Sequence, residues 1–381
     1  MKKICYVTGT RAEFGLLAST LKLISSHSEI DLSICVTGMH ILPEIGLLGE
    51  TKKEIEESGL KIIGTIESPS LSLRSGAGMV EAFAVQTLAM IPLFEKENFD
   101  SIMVLGDRAE MLAAALTAAH LKIPIIHIHG GERSGTIDES VRHAISKIAH
   151  YHFVATELNR QRLVRMGERE ENIFVTGAPG LDEMMTMTLI PRQKLFEEVG
   201  FDIRKKTALV LYHPVLQEDM KAEEQMSQII EVINSLNLQA IFLHPNTDAG
   251  SLGILKALKK AGSNPNFRIF HHLERHKFFL SWLSACDVMV GNSSCGIIEA
   301  ASFKTPVVDV GIRQKAREAS ENVIRTTNDL DDIQNGVLKA LNLGKKSFTN
   351  IYGNGTAGKK ILEILINLSY DRQVLNKLNT Y

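Results

Sequence analysis

The densest set of groups able to move protons lies in the run His127-Ile128-His129-Gly130-Gly131-Glu132-Arg133-Ser134-Gly135-Thr136-Ile137-Asp138-Glu139-Ser140-Val141-Arg142-His143, preceded by Gly106-Asp107-Arg108. Packing does not explain so many charged groups interleaved with glycine. Removing a proton from a carbon beside an amide while an anionic phosphate departs requires a base, an acid and fixed positive charge. Asp107, Glu132 and Asp138, with Arg108 and Arg142, supply those types. A plainer reading stands beside this one: Asp138 is placed to cap a helix and Arg142, four residues on, to pair with it. His127 and His129 would share one face of a strand, but no third ligand at metal-site spacing lies nearby, so no metal is expected.

A second group of residues suits a diphosphate. Gly291-Asn292-Ser293-Ser294-Cys295-Gly296 follows an apolar strand and precedes a helical stretch, so small residues and two hydroxyls fall where unpaired N–H groups can meet an anion. An ordinary capped turn is the plainer alternative. Glu299 would repel a phosphate but can accept two ribose hydroxyls. Thr8-Gly9-Thr10-Arg11 closes the first strand and adds a guanidinium for a bidentate phosphate clamp. The G-x-G-x-x-G and G-x-x-x-x-G-K-[ST] patterns are absent there, so dinucleotide and P-loop chemistry find no support. His213-Pro214 and His244-Pro245-Asn246-Thr247-Asp248-Ala249-Gly250 end two further strands; His213 can donate a proton to, or bind, a leaving phosphate. The run His271-His272-Leu273-Glu274-Arg275-His276 either contacts a base through its backbone or forms a solvated loop.

The elements that must position these residues read as alternating strands and helices. Strands are predicted at Lys3–Val7, Leu32–Thr37, Ser101–Leu105, Ile125–Ile128, His152–Ala155 and Ile173–Val175, with helices at Leu16–Ser25, Met79–Lys96, Arg108–Leu121 and Asn159–Met166. The pattern changes at Gly177-Ala178-Pro179-Gly180, and the charge-rich stretch Pro191–Lys206 reads as a connection. A second series follows, with strands at Ala208–Tyr212, Ala240–Leu243, Phe267–Phe270, Val288–Val290 and Val307–Val310 and helices that include Met226–Ser235 and Phe278–Ala285. The fold class is therefore α/β, with two doubly wound, Rossmann-like domains over 1–180 and 181–358. In such sheets ligands bind beyond the carboxyl ends of strands, and the unusual polar residues fall in those loops of both halves. A ligand held in the cleft between the domains is the expectation.

Composition agrees. A chain of 381 residues, 44% hydrophobic, can bury two cores, and a net charge of −2 offers no general field for nucleic acid or an anionic membrane. The N-terminal apolar run stops after four residues, and no uninterrupted apolar stretch reaches the roughly 20 residues of a membrane span, so a cytoplasmic protein is expected. Cys5, Cys35, Cys286 and Cys295 are far apart and read as reduced structural thiols.

Taken with Gly9-Thr10-Arg11-Ala12, Val36-Thr37-Gly38-Met39-His40, Ser134-Gly135-Thr136-Ile137-Asp138, Asn246–Gly250 and Gly311-Ile312-Arg313-Gln314, these segments match a known pattern in combination and order. The chain resembles the UDP-N-acetylglucosamine 2-epimerases, specifically the hydrolysing branch that feeds sialic acid and related nonulosonic acid synthesis. The resemblance implies GT-B architecture, a C-terminal segment 359–381 returning to the first domain, and a homodimer. It implies UDP binding by Arg11, Arg108, His213, Asn246, Ser293, Ser294, Glu299 and Arg313, and catalytic positions at Asp107, Glu132, Asp138, Arg142, His129 and His213. The implied reaction removes the C2 proton, expels UDP to leave a glycal, and adds water with inversion at C2; no cofactor or metal is needed. Many relatives read His-Ile-Glu-Gly-Gly-Glu where this chain has His127-Ile128-His129-Gly130-Gly131-Glu132. Histidine therefore takes the place of the first glutamate. Some relatives carry serine at Gly15, so one phosphate contact is expected to be missing. UDP-N-acetylglucosamine, giving N-acetylmannosamine, ranks first as substrate. UDP-N,N'-diacetylbacillosamine, serving legionaminic acid, ranks second, and a non-catalytic UDP-sugar-binding protein is the reading from another class.

Overall fold

The computed structural model describes residues 1–41, 49–67, 76–133, 137–245, 250–271 and 276–380. Contacts divide the chain into two compact units. The first takes in Met1–Glu132, Ile137–Glu183 and the chain from Tyr352 onward; the second is chiefly Met184–Ile351.

The first unit runs β1 (Lys2–Thr8), α1 (Arg11–Ser25), β2 (Ile30–Val36), α2 (Gly49–Glu57), β3 (Ile62–Thr65), α3 (Gly76–Glu97), β4 (Ser101–Leu105), α4 (Ala109–His120), β5 (Ile125–Ile128), α5 (Ile137–Ile148), β6 (Tyr151–Val154), α6 (Glu157–Arg165) and β7 (Ile173–Val175), and the chain leaves it within α7 (Gly180–Thr186). The sheet is parallel throughout, in the order β3-β2-β1-β4-β5-β6-β7. Its central strands are continuous apolar runs because helices cover both faces. Ile4 and Tyr6 of β1 face a core shared with α1, while Cys5 and Val7 face one shared with α3 and α4.

The second unit runs α8 (Arg192–Val199), β8 (Thr207–Leu211), α9 (Ala222–Ser235), β9 (Gln239–Leu243), α10 (Ser251–Ala261), β10 (Phe267–Phe270), α11 (His276–Ala285), β11 (Val288–Gly291), α12 (Ser294–Ile298), β12 (Val307–Val310), β13 (Val323–Thr326) and α13 (Leu330–Leu343). Its sheet is again parallel, in the order β10-β9-β8-β11-β12-β13. The chain then re-enters the first unit as α14 (Ala357–Asn367), which packs on α1 through Ile361 and Leu365. Both ends of α14 are tied down. The Asp182 carboxylate accepts the N–H groups of Ala357 (3.0 Å) and Gly358 (2.5 Å), and the Lys2 ammonium donates to the carbonyls of Leu365, Ile366 and Leu368.

Three differences from the sequence reading have physical causes. Pro191–Lys206 is not mere connection: α8 buries Leu195 and Phe196 beside Trp282 in the second core. With charge at most of its other positions, its pattern is hard to read. The strands β3 and β13 are absent from the prediction because each is a partly exposed edge strand, broken by Gly64 in one and Arg325 in the other. By length and composition, Gly78–Glu97 of α3 is the one helix among the described residues able to cross a membrane. The sequence reading has a helix there, at Met79–Lys96, but no span, because Glu81, Gln86 and Thr87 interrupt the apolar run. In the fold Met90 and Phe94 of this helix enter the core while Val80 and Leu88 are exposed.

Gly291, the last residue of β11, has φ +141°, and a Cβ there would lie 2.0 Å from the Leu211 carbonyl oxygen. Gly291→Ala should therefore lower the unfolding free energy by about 3 kcal/mol or more. Urea denaturation of the two proteins checks this.

Candidate active site

In both sheets the strand order reverses once, between β1 and β4 and between β8 and β11. Connections on either side of such a point run to opposite faces of the sheet, which opens a crevice at the carboxyl ends of those strands.

In the first unit β4 delivers Asp107 to this edge and β5 delivers His129. Behind them α5 supplies Arg142, which is buried at 3% exposure. One Arg142 nitrogen pairs with the Asp107 carboxylate and another donates to the Glu132 carbonyl at 3.1 Å. A buried guanidinium needs such acceptors, and they fix the main chain at Glu132. The buried Glu132 side chain turns back to His129, whose Nδ1 lies 2.5 Å from Oε1. An ionised carboxylate only accepts, so Nδ1 carries the proton of this bond. His129 holds φ at +62°, a left-handed conformation that costs a β-carbon residue about 1 kcal/mol or more. Gly131 follows at φ +73°, where a Cβ would meet the Asn159 carbonyl at 2.6 Å. The loop between β5 and α5 thus accepts strain to aim one imidazole.

His127 is of a different kind. Its Nε2 donates to the Gly106 carbonyl (2.8 Å) and its Nδ1 accepts from the Ser146 hydroxyl (3.0 Å), so both ring nitrogens are used. Complete burial lowers its pKa from 6.5 to about 3, helped by the nearby positive charges. It holds β4, β5 and α5 together as a neutral ring. Asp138 lies in the first turn of α5 and is exposed, and the Arg142 four residues on serves Asp107 and Glu132. Among the described residues no three His, Cys, Asp or Glu side chains converge as a metal ion would require.

At the end of β1, Thr10 and Glu13 form a capping box on α1: Thr10 accepts the Glu13 N–H, and Glu13 Oε2 accepts the N–H groups of Gly9 (2.9 Å) and Thr10 (3.0 Å). Burial pushes the Glu13 carboxyl up to about 8, against the pull of the Arg108 charge. Arg108 itself caps α4 with its main chain, and its Nε lies 3.4 Å from the buried Glu110 carboxylate. The Arg11 backbone opens α1, while its side chain lies outside what is described.

In the second unit His213 follows β8 and Ser293 occupies the N-cap position of the one-turn α12, its hydroxyl accepting from the Cys295 thiol at 3.1 Å. Burial, with the Arg313 charge beside it, lowers the His213 pKa to about 3, so it is neutral before an anion arrives. Burial raises Glu299 to about 7. Arg313 donates to the Asn292 carbonyl at 3.0 Å. Ser294 begins α12, whereas Asn246, Ser134–Thr136 and His272–Arg275 lie outside the described residues.

The structure therefore groups Asp107, Glu132, His129 and Arg142 in the first unit, and His213, Ser293 and Arg313 in the second. Sequence reasoning passed over Glu13, Glu110 and Asn292. Of these only Glu13 carried a local signal, the T-x-x-E of its capping box.

The family model described as UDP-N-acetylglucosamine 2-epimerase matches residues 22–366. A UDP-N,N'-diacetylbacillosamine 2-epimerase (hydrolyzing) of Legionella pneumophila is 47% identical over 381 residues, covering 100% of both chains. A UDP-N-acetylglucosamine 2-epimerase of Neisseria meningitidis is 33% identical over 371 residues, covering 96% of each. The crystal structure of a UDP-GlcNAc 2-epimerase from Neisseria meningitidis bound to UDP-GlcNAc matches with a TM-score of 0.80 at 19% identity, over 96% of this chain and 100% of that one. This last likeness is one of fold, and the fold is the two-sheet GT-B type expected from the sequence.

Because folding depresses the His127 pKa, its contribution to stability is complete above the ordinary value of 6.5 and is lost as pH falls toward about 3. Within that window His127→Gln should flatten the dependence of unfolding free energy on pH by about 1.4 kcal/mol per pH unit. Denaturant titrations of both proteins at several pH values read this slope.

Proposed function

The chain belongs to the UDP-N-acetylglucosamine 2-epimerase family, and from that premise we propose that it is a hydrolysing 2-epimerase whose substrate is UDP-N,N'-diacetylbacillosamine. Its products are then UDP and 2,4-diacetamido-2,4,6-trideoxymannose. The observation that carries the choice of sugar is the full-length similarity to the Legionella protein named for that reaction. The sequence ranked UDP-N-acetylglucosamine first; the relatives reverse the order, because the Neisseria protein named for that sugar is the more distant of the two. That protein is also the reason to keep UDP-N-acetylglucosamine, giving N-acetylmannosamine for sialic acid, as the second reading.

In the first step the C2–H bond and the C1–O bond to UDP break and a C1–C2 double bond forms. In the second, the oxygen of water bonds to C1 and a proton returns to C2 from the opposite face. Inversion requires two proton carriers, and the first unit offers two that are wired separately. His129 Nε2 takes a proton while Glu132 holds Nδ1–H and stabilises the imidazolium; Asp107, held by Arg142, is the second. His213 and Arg313 meet the departing diphosphate, with Ser293 and Ser294 donating hydroxyls. His213 is neutral in the free protein and gains a proton when the dianion raises its affinity for one. Arg11, Arg108, Asn246 and Glu299 are assigned to UDP as well.

Proton NMR of reactions without added metal or cofactor decides between the sugars. Free 2,4-diacetamido-2,4,6-trideoxymannose from the diacetylbacillosamine nucleotide supports the proposal. Turnover of UDP-N-acetylglucosamine alone moves the enzyme to the second reading. UDP binding without turnover of either would make it a binding protein. In deuterium oxide the product should carry deuterium at C2. Glu132→Gln, which keeps an acceptor for the His129 proton but removes the charge that stabilises the imidazolium, should lower kcat by about 10²-fold or more while changing UDP affinity less than about threefold. Steady-state kinetics and calorimetry report the two quantities.

A further inference from the structure

Asn292 follows β11 directly, is 1% exposed, and faces the crevice edge of β8. The β8–β11 ladder ends at the pair Leu211–Gly291, and the two chains then part. The main-chain N–H and C=O of His213 lie beyond the last rung. The Asn292 carboxamide meets both: Oδ1 accepts the His213 N–H at 2.7 Å and Nδ2 donates to the His213 carbonyl at 2.8 Å. Among side chains of this length only a carboxamide offers an acceptor and a donor side by side; aspartate has no donor and serine cannot span both. The Asn292 main chain is held as firmly. Its N–H donates to the Leu211 carbonyl at 3.2 Å, and its carbonyl accepts from Arg313 Nη1 at 3.0 Å and Gln314 Nε2 at 3.2 Å.

We infer that Asn292 is a positioning residue for the diphosphate end of the site: its carboxamide holds the main chain that carries His213, and its carbonyl docks Arg313. The inference rests on the UDP-sugar reading above. Arg313 docks on the main-chain carbonyl, which a side-chain substitution leaves in place, so the effect of an Asn292 variant on UDP should run through the His213 side chain.

Calorimetric titration of UDP into the full-length protein, Asn292→Ala, Asn292→Asp, His213→Ala and the double variant Asn292→Ala/His213→Ala tests this. Each Asn292 variant takes one or both of these hydrogen bonds from the part-buried His213 main chain, so each should bind UDP about tenfold or more weakly. In the His213→Ala background the same alanine substitution should cost less than about threefold, because the residue it positions is already gone. Multiplying losses would mean general damage to the unit and would overturn the inference, as would unchanged affinity in either folded variant. Asn292→Asp preserves shape and the acceptor for His213 N–H, and if the alanine variant does not fold it replaces it in the same comparison: repulsion of the anion by the new carboxylate persists in the His213→Ala background, whereas lost positioning of His213 does not. Hydrogen exchange of the unmodified protein gives a check that needs no variant: the His213 amide should exchange slowly, and exchange at the rate of an open loop overturns the clamp. If the unmodified protein does not bind UDP, the functional reading falls and takes this inference with it. If it binds UDP and the variants match it, only the clamp falls.

Discussion

A guanidinium taken out of water must find acceptors within its own reach, and in this protein that demand on Arg142 shapes the cluster at the ends of β4 and β5. Removing one partner of such a buried ion pair costs about 3–5 kcal/mol, so the chain is strongly held to the geometry that supplies them. Asp107 and the Glu132 carbonyl supply them, which ties the ends of β4 and β5 to α5. With Glu132 fixed at its backbone, its carboxylate reaches the neighbouring imidazole. His129 is then pulled into a left-handed conformation, and Gly131 must be glycine to let the loop pass Asn159. The geometry of this cluster is a consequence of satisfying a charge.

The two units meet the same topological problem with different chemistry. Each sheet leaves a gap where its strand order reverses, and polar main-chain groups there need partners. Beside its gap the first unit ties the ends of β4 and β5 to α5 with Arg142 and a neutral, fully bonded His127. The second uses an uncharged carboxamide at Asn292. An uncharged brace suits a place where an anion is to bind, since a fixed carboxylate would repel it.

How much of this was legible in the sequence follows from the range of each interaction. The central strands β1, β4, β5, β8 and β11 announce themselves as apolar runs because both their faces are covered. The edge strands β3 and β13 do not, and α8 hides two core residues in a charged stretch. The candidate residues were found by type and by their place at strand ends. Their pairing was not, because Arg142 and Asp107 are 35 positions apart and Asn292 and His213 are 79 apart. His127 and His129, two residues apart on one strand end, looked alike, and their partners separate them: both ring nitrogens of His127 are bonded within the fold, whereas His129 is held through Nδ1. The identity of the sugar was the least legible feature, since discrimination depends on which side chains reach its C4 and C6.

The return of the chain to the first unit bears on the order in which the protein is made. The Lys2 ammonium, at the start of β1, caps the carboxyl end of α14, and Asp182 caps its amino end. On the ribosome β1 through β7 emerge long before the helix that completes their core, so the nascent sheet must keep the face beneath α14 uncovered while the whole second unit is synthesised. The second unit, contiguous from Met184 to Ile351, has no such wait. The part of the chain translated first is therefore the part that finishes folding last, and chaperones that shield apolar surface have their longest opportunity there.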